Sequence, residues 1–224
     1  MSGLENLLVV SFRELPFFAL ALIISFTVHE FAHAYVAYKF GDDTPYKDGR
    51  VTLNPAVHLD LFGAILILIA GFGWAKPVMV RASNFKNPRM MSVIVSAAGP
   101  LSNLLMGIIS VFAINILNET GWLYAVSPQV TDAITMFFQF LVQYSFLLFV
   151  FNLIPLPPLD GYRIVVEFLP LRQRIQIEQN AHWGSIIFLL MVFIPPLREV
   201  TLDPILGLGN KIAIAVINMV HLIV

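Results

Sequence analysis

The 224-residue chain contains no cysteine, which excludes disulfides, thiolate metal sites and cysteine nucleophiles together and leaves the redox compartment unreadable. Charge is also scarce. Only 12% of the residues are Asp, Glu, Lys or Arg, against about 25% in an ordinary soluble domain. The formal net charge is −1, so no basic field exists to attract nucleic acid. Apolar residues fill the gap: 58% of the chain is hydrophobic and the mean hydropathy is +0.82. A water-soluble globule is excluded, and an integral membrane protein is expected. Met1 to Glu14 lack the basic start and small-residue cleavage site of a removable signal peptide, so the first apolar stretch is expected to stay.

The long apolar runs predict an all-α polytopic membrane protein, a bundle of five to six transmembrane segments forming one domain over 1–224. The first helix is expected at 15–38, core helices at 91–117 and 133–156, and C-terminal helices at 183–196 and 202–224. Region 41–76 reads differently. Its apolar part, 59–72, would span only about 21 Å as helix, short of a hydrocarbon core of about 30 Å. A re-entrant element is expected there, with a short strand at Arg50–Leu53 from its β-propensity. Such an edge would either hold an extended substrate or close an ordinary hairpin.

Charge placement gives an orientation. Lys76, Arg81, Lys86 and Arg89 follow the re-entrant part without an acid, and Arg163, Arg172 and Arg174 follow the third long run. Glu119 and Asp132 sit in the loop between. Positive loops stay in the cytoplasm. The first and third long helices therefore run inward, and their inner ends are expected to share the cytoplasmic half of a cell membrane.

Within the first helix stands His29-Glu30-Phe31-Ala32-His33, an H-E-x-x-H pattern. Residues four apart share a helix face, so both imidazoles can reach one metal ion. Glu30 lies beside them as a proton acceptor. Ionisable groups deep in a membrane helix are costly and functional by default. A catalytic zinc takes three protein ligands. An extended motif with a third histidine is excluded, because Val36 and Lys39 occupy the required positions. Asp160, after Pro155, Pro157 and Pro158 and before Gly161, is either that third ligand at a broken helix end or a turn aspartate at the membrane edge. A metal carrier would need no glutamate beside the ligands, and the chain shows no paired halves.

H-E-x-x-H together with Asn152-Leu153-Ile154-Pro155-Leu156-Pro157-Pro158-Leu159-Asp160-Gly161 resembles the site-2 protease family of intramembrane zinc metalloproteases. Gly49-Arg50-Val51-Thr52-Leu53-Asn54-Pro55 and Ala98-Gly99-Pro100-Leu101-Ser102-Asn103 are similar to its compact prokaryotic branch, without a PDZ or CBS domain. The resemblance implies one Zn2+ on His29, His33 and Asp160, with Glu30 as general base and Asn152 contacting substrate or the developing oxyanion. It also implies regulated intramembrane proteolysis of single-pass membrane proteins, anti-sigma factors being one kind.

Three further residues are open to two readings each. His58 is a polar group of the active site or a hydrogen-bonding residue that holds the turn at Asn54-Pro55. Asn54 is accordingly a substrate contact or a turn residue. Gly99, Ser102 and Asn103 read first as close helix packing, and Asn103 second as a functional amide.

Overall fold

The structure, a computed structural model, describes residues 9–70 and 73–223. Among these residues it is helical without a named strand: α1 Leu15–Lys39, α2 Thr44–Lys47, α3 Leu61–Ala70, α4 Pro88–Glu119, α5 Trp122–Ala125, α6 Pro128–Asn152, α7 Asp160–Phe168, α8 Leu171–Gln179, α9 Ala181–Phe193 and α10 Pro195–Ile223. Gly71, Phe72 and Val224, which belong to the expected segments 59–72 and 202–224, lie outside the described residues.

Four described helices, α1, α4, α6 and α10, are long and apolar enough to cross a membrane. The further one or two of the expected five to six are not among them. α9 has 13 residues, about 20 Å of helix, too little for a straight crossing of about 30 Å. The expected boundary at Pro195-Pro196 does fall there, but proline is well tolerated in a first helical turn. α10 therefore starts at Pro195 and takes in 197–201, which sequence had left between two helices. α4 is longer than 91–117 at both ends. α6 begins at Pro128, again a first-turn proline, and stops at Asn152 because Pro155 disfavours helix just before it.

The strand expected at Arg50–Leu53 does not form. Among the described residues the only β pairing is an isolated antiparallel bridge between Leu59 and Ala75. It brings together the two ends of the α3 excursion, which returns to the side it left. Two glycines allow the return. A Cβ on Gly63 would lie 2.1 Å from the Trp74 carbonyl oxygen, and one on Gly73 would lie 2.1 Å from that of Gly63.

The core is α1, α4 and α6, each packed on the other two. Phe18 of α1 meets Phe140 and Tyr144 of α6 edge-on at 5.6 and 5.1 Å. Arg13, just before α1, pairs with Asp132 in the first turns of α6 at 2.8 Å, so α1 and α6 begin on one side. α4 runs the other way. Its Met91 and Val95 pack near Ala37, whereas Gly99 faces His29 and His33. α10 closes the far side, where Val216 and Val220 pack with Phe146 and Val111.

Candidate metal centre

His29 and His33 occupy successive turns of one face of α1, their ring centroids 4.7 Å apart. Their Nε2 atoms approach to 3.0 Å, and Asp160 Oδ2 stands 3.1 Å from one and 3.2 Å from the other. The Val95 carbonyl lies 2.7 Å from His33 Nδ1 and accepts its hydrogen, which leaves the Nε2 lone pair pointing at the cluster. Three ligand atoms about 2.0–2.2 Å from one tetrahedral zinc stand roughly 3.3 Å apart. The observed triangle has that size, and no other trio of metal-ligating side chains gathers this way among the described residues.

The space beside the triangle is kept open by a glycine. A Cβ at Gly99 would fall 2.3 Å from His33 Nε2 and 2.6 Å from His29 Nε2. Read from sequence as helix packing, Gly99 is a wall of the metal cradle. Pro100 follows it and has no N–H for the Ser96 carbonyl, so one rung of the helix ladder is missing beside the site.

Asp160 reaches the cluster from beyond the end of α6. The chain leaves α6 at Asn152, turns through Pro155, Pro157 and Pro158, with the Pro157–Pro158 peptide cis, and re-enters helix at Asp160. Gly161 permits the turn to stay tight, since a Cβ there would lie 2.3 Å from the Leu153 carbonyl oxygen. The carboxylate thus sits in the first turn of α7, where the helix dipole favours a negative charge. α7 packs on α4, which fixes its distance from the histidines. Asp160 thus stands within reach of both imidazoles, in a group that could hold a metal ion.

Glu30 is buried beside the triangle and accepts the Val78 backbone N–H at 3.2 Å. Arg50 Nη2 lies 3.9 Å from the same oxygen, Oε2. Glu30, the three ligand residues and Asn152 line one cavity of about 330 Å³, whose outer wall is the returning segment Gly73–Val80. Asn152 donates one amide hydrogen to the Leu148 carbonyl at 3.0 Å. Sequence reasoning had passed over the Val95 carbonyl, the Val78 amide and the Arg50 guanidinium as parts of the site. Backbone groups leave no residue-type signal, and Arg50 had been read as part of a strand.

Asn54, His58 and Asn103 do not line the cavity. Asn54 caps the short turn at Pro55–Val57 by accepting the Ala56 N–H at 3.1 Å. His58 is fully buried and contacts the Thr52 carbonyl through Nε2 at 2.7 Å. Burial pushes its pKa down, so it is neutral at physiological pH. Asn103 is fully buried in α4, one turn beyond Gly99, with neither amide atom hydrogen-bonded. Ser25 of α1 is equally buried and unbonded.

A sequence profile of peptidase family M50, the site-2 proteases, matches residues 17–194. The chain belongs to this family. YwhC of Bacillus subtilis (strain 168), whose name describes a zinc metalloprotease, is 47% identical over 88% of this chain and 88% of its own. Rip2 of Mycobacterium tuberculosis (strain ATCC 25618 / H37Rv), named in the same terms, is 30% identical over 78% of this chain and 65% of its own. No solved structure matches the chain. As a member of family M50 the protein is a zinc metalloprotease, and the His29–His33–Asp160 triangle is a site that fits the ion.

Proposed function

We propose that this site-2 protease relative is an intramembrane endopeptidase, hydrolysing peptide bonds in or near the membrane-spanning segments of single-pass membrane proteins. The observation that carries the proposal is the enclosure of the ligand triangle and Glu30 in one cavity among helices long enough to cross a bilayer. A soluble protein would have little need to bury this chemistry between apolar helices.

His29, His33 and Asp160 hold the zinc. When bound, the ion supplies a Lewis acid that polarises the scissile carbonyl and makes water acidic enough to attack near neutral pH. Glu30 takes the proton from the attacking water and returns it to the leaving amine. The Val78 amide anchors one Glu30 oxygen, which orients the carboxylate for both transfers. Asn152 keeps one amide hydrogen on Leu148 and offers the second to the developing oxyanion. The cavity wall at Gly73–Val80 excludes bulk water from these steps.

The basic loops at Lys76–Arg89 and Arg163–Arg174 favour a cytoplasmic position for this end of the fold, in a prokaryotic cell membrane. Substrates of this chemistry include membrane-tethered regulators of the anti-sigma-factor kind, released by a cut in their anchor.

The test is Glu30→Gln. It is expected to retain one zinc per chain while cleavage of a single-pass fusion protein in proteoliposomes falls by about 10²–10⁴-fold, the usual weight of a general base. Full cleavage by that variant would overturn the mechanism.

A further inference from the structure

We infer that Arg50 is a positioning residue of the active site, a clasp that fixes both Glu30 and the cavity wall; this rests on the catalytic reading of Glu30 given above. Arg50 lies between α2 and α3, outside the membrane helices, yet it is only 5% exposed. A buried guanidinium needs partners for its donors. Its two terminal nitrogens find them in backbone, while Nε has none. Nη1 donates to the Val57 carbonyl, just before α3, and Nη2 donates to the Lys76 carbonyl, just after α3. One side chain therefore ties the two ends of the α3 excursion together, where the pairing is otherwise a single bridge and the Lys76 N–H to His58 carbonyl bond at 2.8 Å.

Lys76 is two residues from Val78, whose amide holds Glu30 Oε2. The same Nη2 that grips Lys76 stands 3.9 Å from that oxygen. Charge and clasp thus act on one point. The guanidinium keeps a counter-charge near a buried carboxylate, and it sets the height at which the Val78 amide meets it. Gly73, Trp74, Ala75, Pro77 and Val80 belong to the same wall, so the shape of the cavity depends on the same tie. Arg50 touches no ligand atom, which separates its role from zinc retention.

Lysine cannot replace it fully. An ammonium is a point charge without the planar fork that grips two carbonyls at once.

The experiment compares wild type, Arg50→Gln and Arg50→Lys, purified in detergent with zinc. Three quantities are read: zinc per chain, amide exchange over Trp74–Val80, and kcat and KM with fluorescently labelled casein as the probe. Expected are unchanged zinc, exchange over Trp74–Val80 faster by on the order of tenfold with α1 unaltered, and kcat down about 10²-fold in Arg50→Gln with KM within about threefold. Arg50→Lys should recover part of kcat, since it restores charge, but little of the exchange protection. Wild-type kcat in Arg50→Gln, or a loss of kcat that merely tracks a loss of zinc, would overturn the inference. If Arg50→Gln does not fold, Arg50→Lys with wild-type exchange and kcat would overturn it equally. A zinc-loaded wild type that cleaves neither the casein nor the single-pass fusion protein would count against the protease reading instead, and the exchange data would still decide whether Arg50 is the clasp.

Discussion

The proposed metal ligands and the proposed catalytic base sit side by side but are held by different kinds of structure. The ligands are placed by helices. His29 and His33 ride on α1, Asp160 begins α7, and Gly99 of α4 clears the space between them. Glu30 belongs to the same helix as the histidines, yet its partners come from irregular segments: the Val78 backbone amide and the Arg50 side chain. One half of the site is thus stiff because packed helices are stiff. The other depends on a few hydrogen bonds around a loop. Zinc affinity and catalytic rate should therefore be separable by mutation.

The largest break should come from the helical half. His33→Ala is expected to lower zinc affinity by more than about 100-fold, beyond the effect of losing an outer-sphere partner, and to abolish activity with it. Metal titration of the purified protein checks this; retained zinc would mean that the triangle is not the site. Gly99→Ala is a subtler break of the same half. The added methyl would overlap both Nε2 atoms, so zinc affinity should drop about 10–100-fold, a range typical of disturbed metal sites. A Gly99→Ala protein with normal zinc would show that α4 can shift to make room.

The loop half is tested most gently at Asp42. This fully buried carboxylate accepts from the Arg81 backbone N–H at 2.6 Å, Asn84 Nδ2 at 2.8 Å, and the Thr44 hydroxyl and N–H at 2.7 and 3.1 Å. It ties the turn after α1 to the segment that follows the cavity wall. Burial pushes its pKa up, but these four hydrogen bonds outweigh that and hold the carboxyl below its ordinary value. A depressed folded pKa means the stabilisation is complete above the unfolded value, about 3.9, and is lost as pH falls through the folded one. Asp42→Asn should lower the melting temperature at pH 7 by a few degrees, flatten the acid limb of the stability curve, and leave zinc content unchanged. Thermal melts between pH 3 and 7 decide it, and an acid limb as steep as wild type would refute it.

This same division explains what could be read in advance. The helical half was legible because its chemistry lies in side chains at fixed spacings: histidines four apart, and an aspartate behind three prolines. Even there Asp160 stayed open between ligand and turn residue, because linear spacing says nothing about how far α7 stands from α1. Gly99 was read as packing for the same reason. The loop half was nearly illegible. Val78 and Val95 act through backbone atoms, and Arg50 sits in a stretch whose β-propensity suggested a strand. No strand forms at Arg50–Leu53, and the Arg50 side chain instead donates to the Val57 and Lys76 carbonyls. The crossings beyond four were not found among the described helices, because the run at 183–196 forms a helix of only 13 residues.

The separation of Asp160 from His29 by 131 residues also bears on how the enzyme is made. A chain emerging from the ribosome places α1, with both imidazoles and Glu30, in the bilayer while Asp160 is still untranslated. Any fragment abandoned before that point carries the base and two ligands but cannot close the triangle, and one that stops before α6 also lacks the cavity wall around Asn152. The triangle can close only once Asp160 has been made.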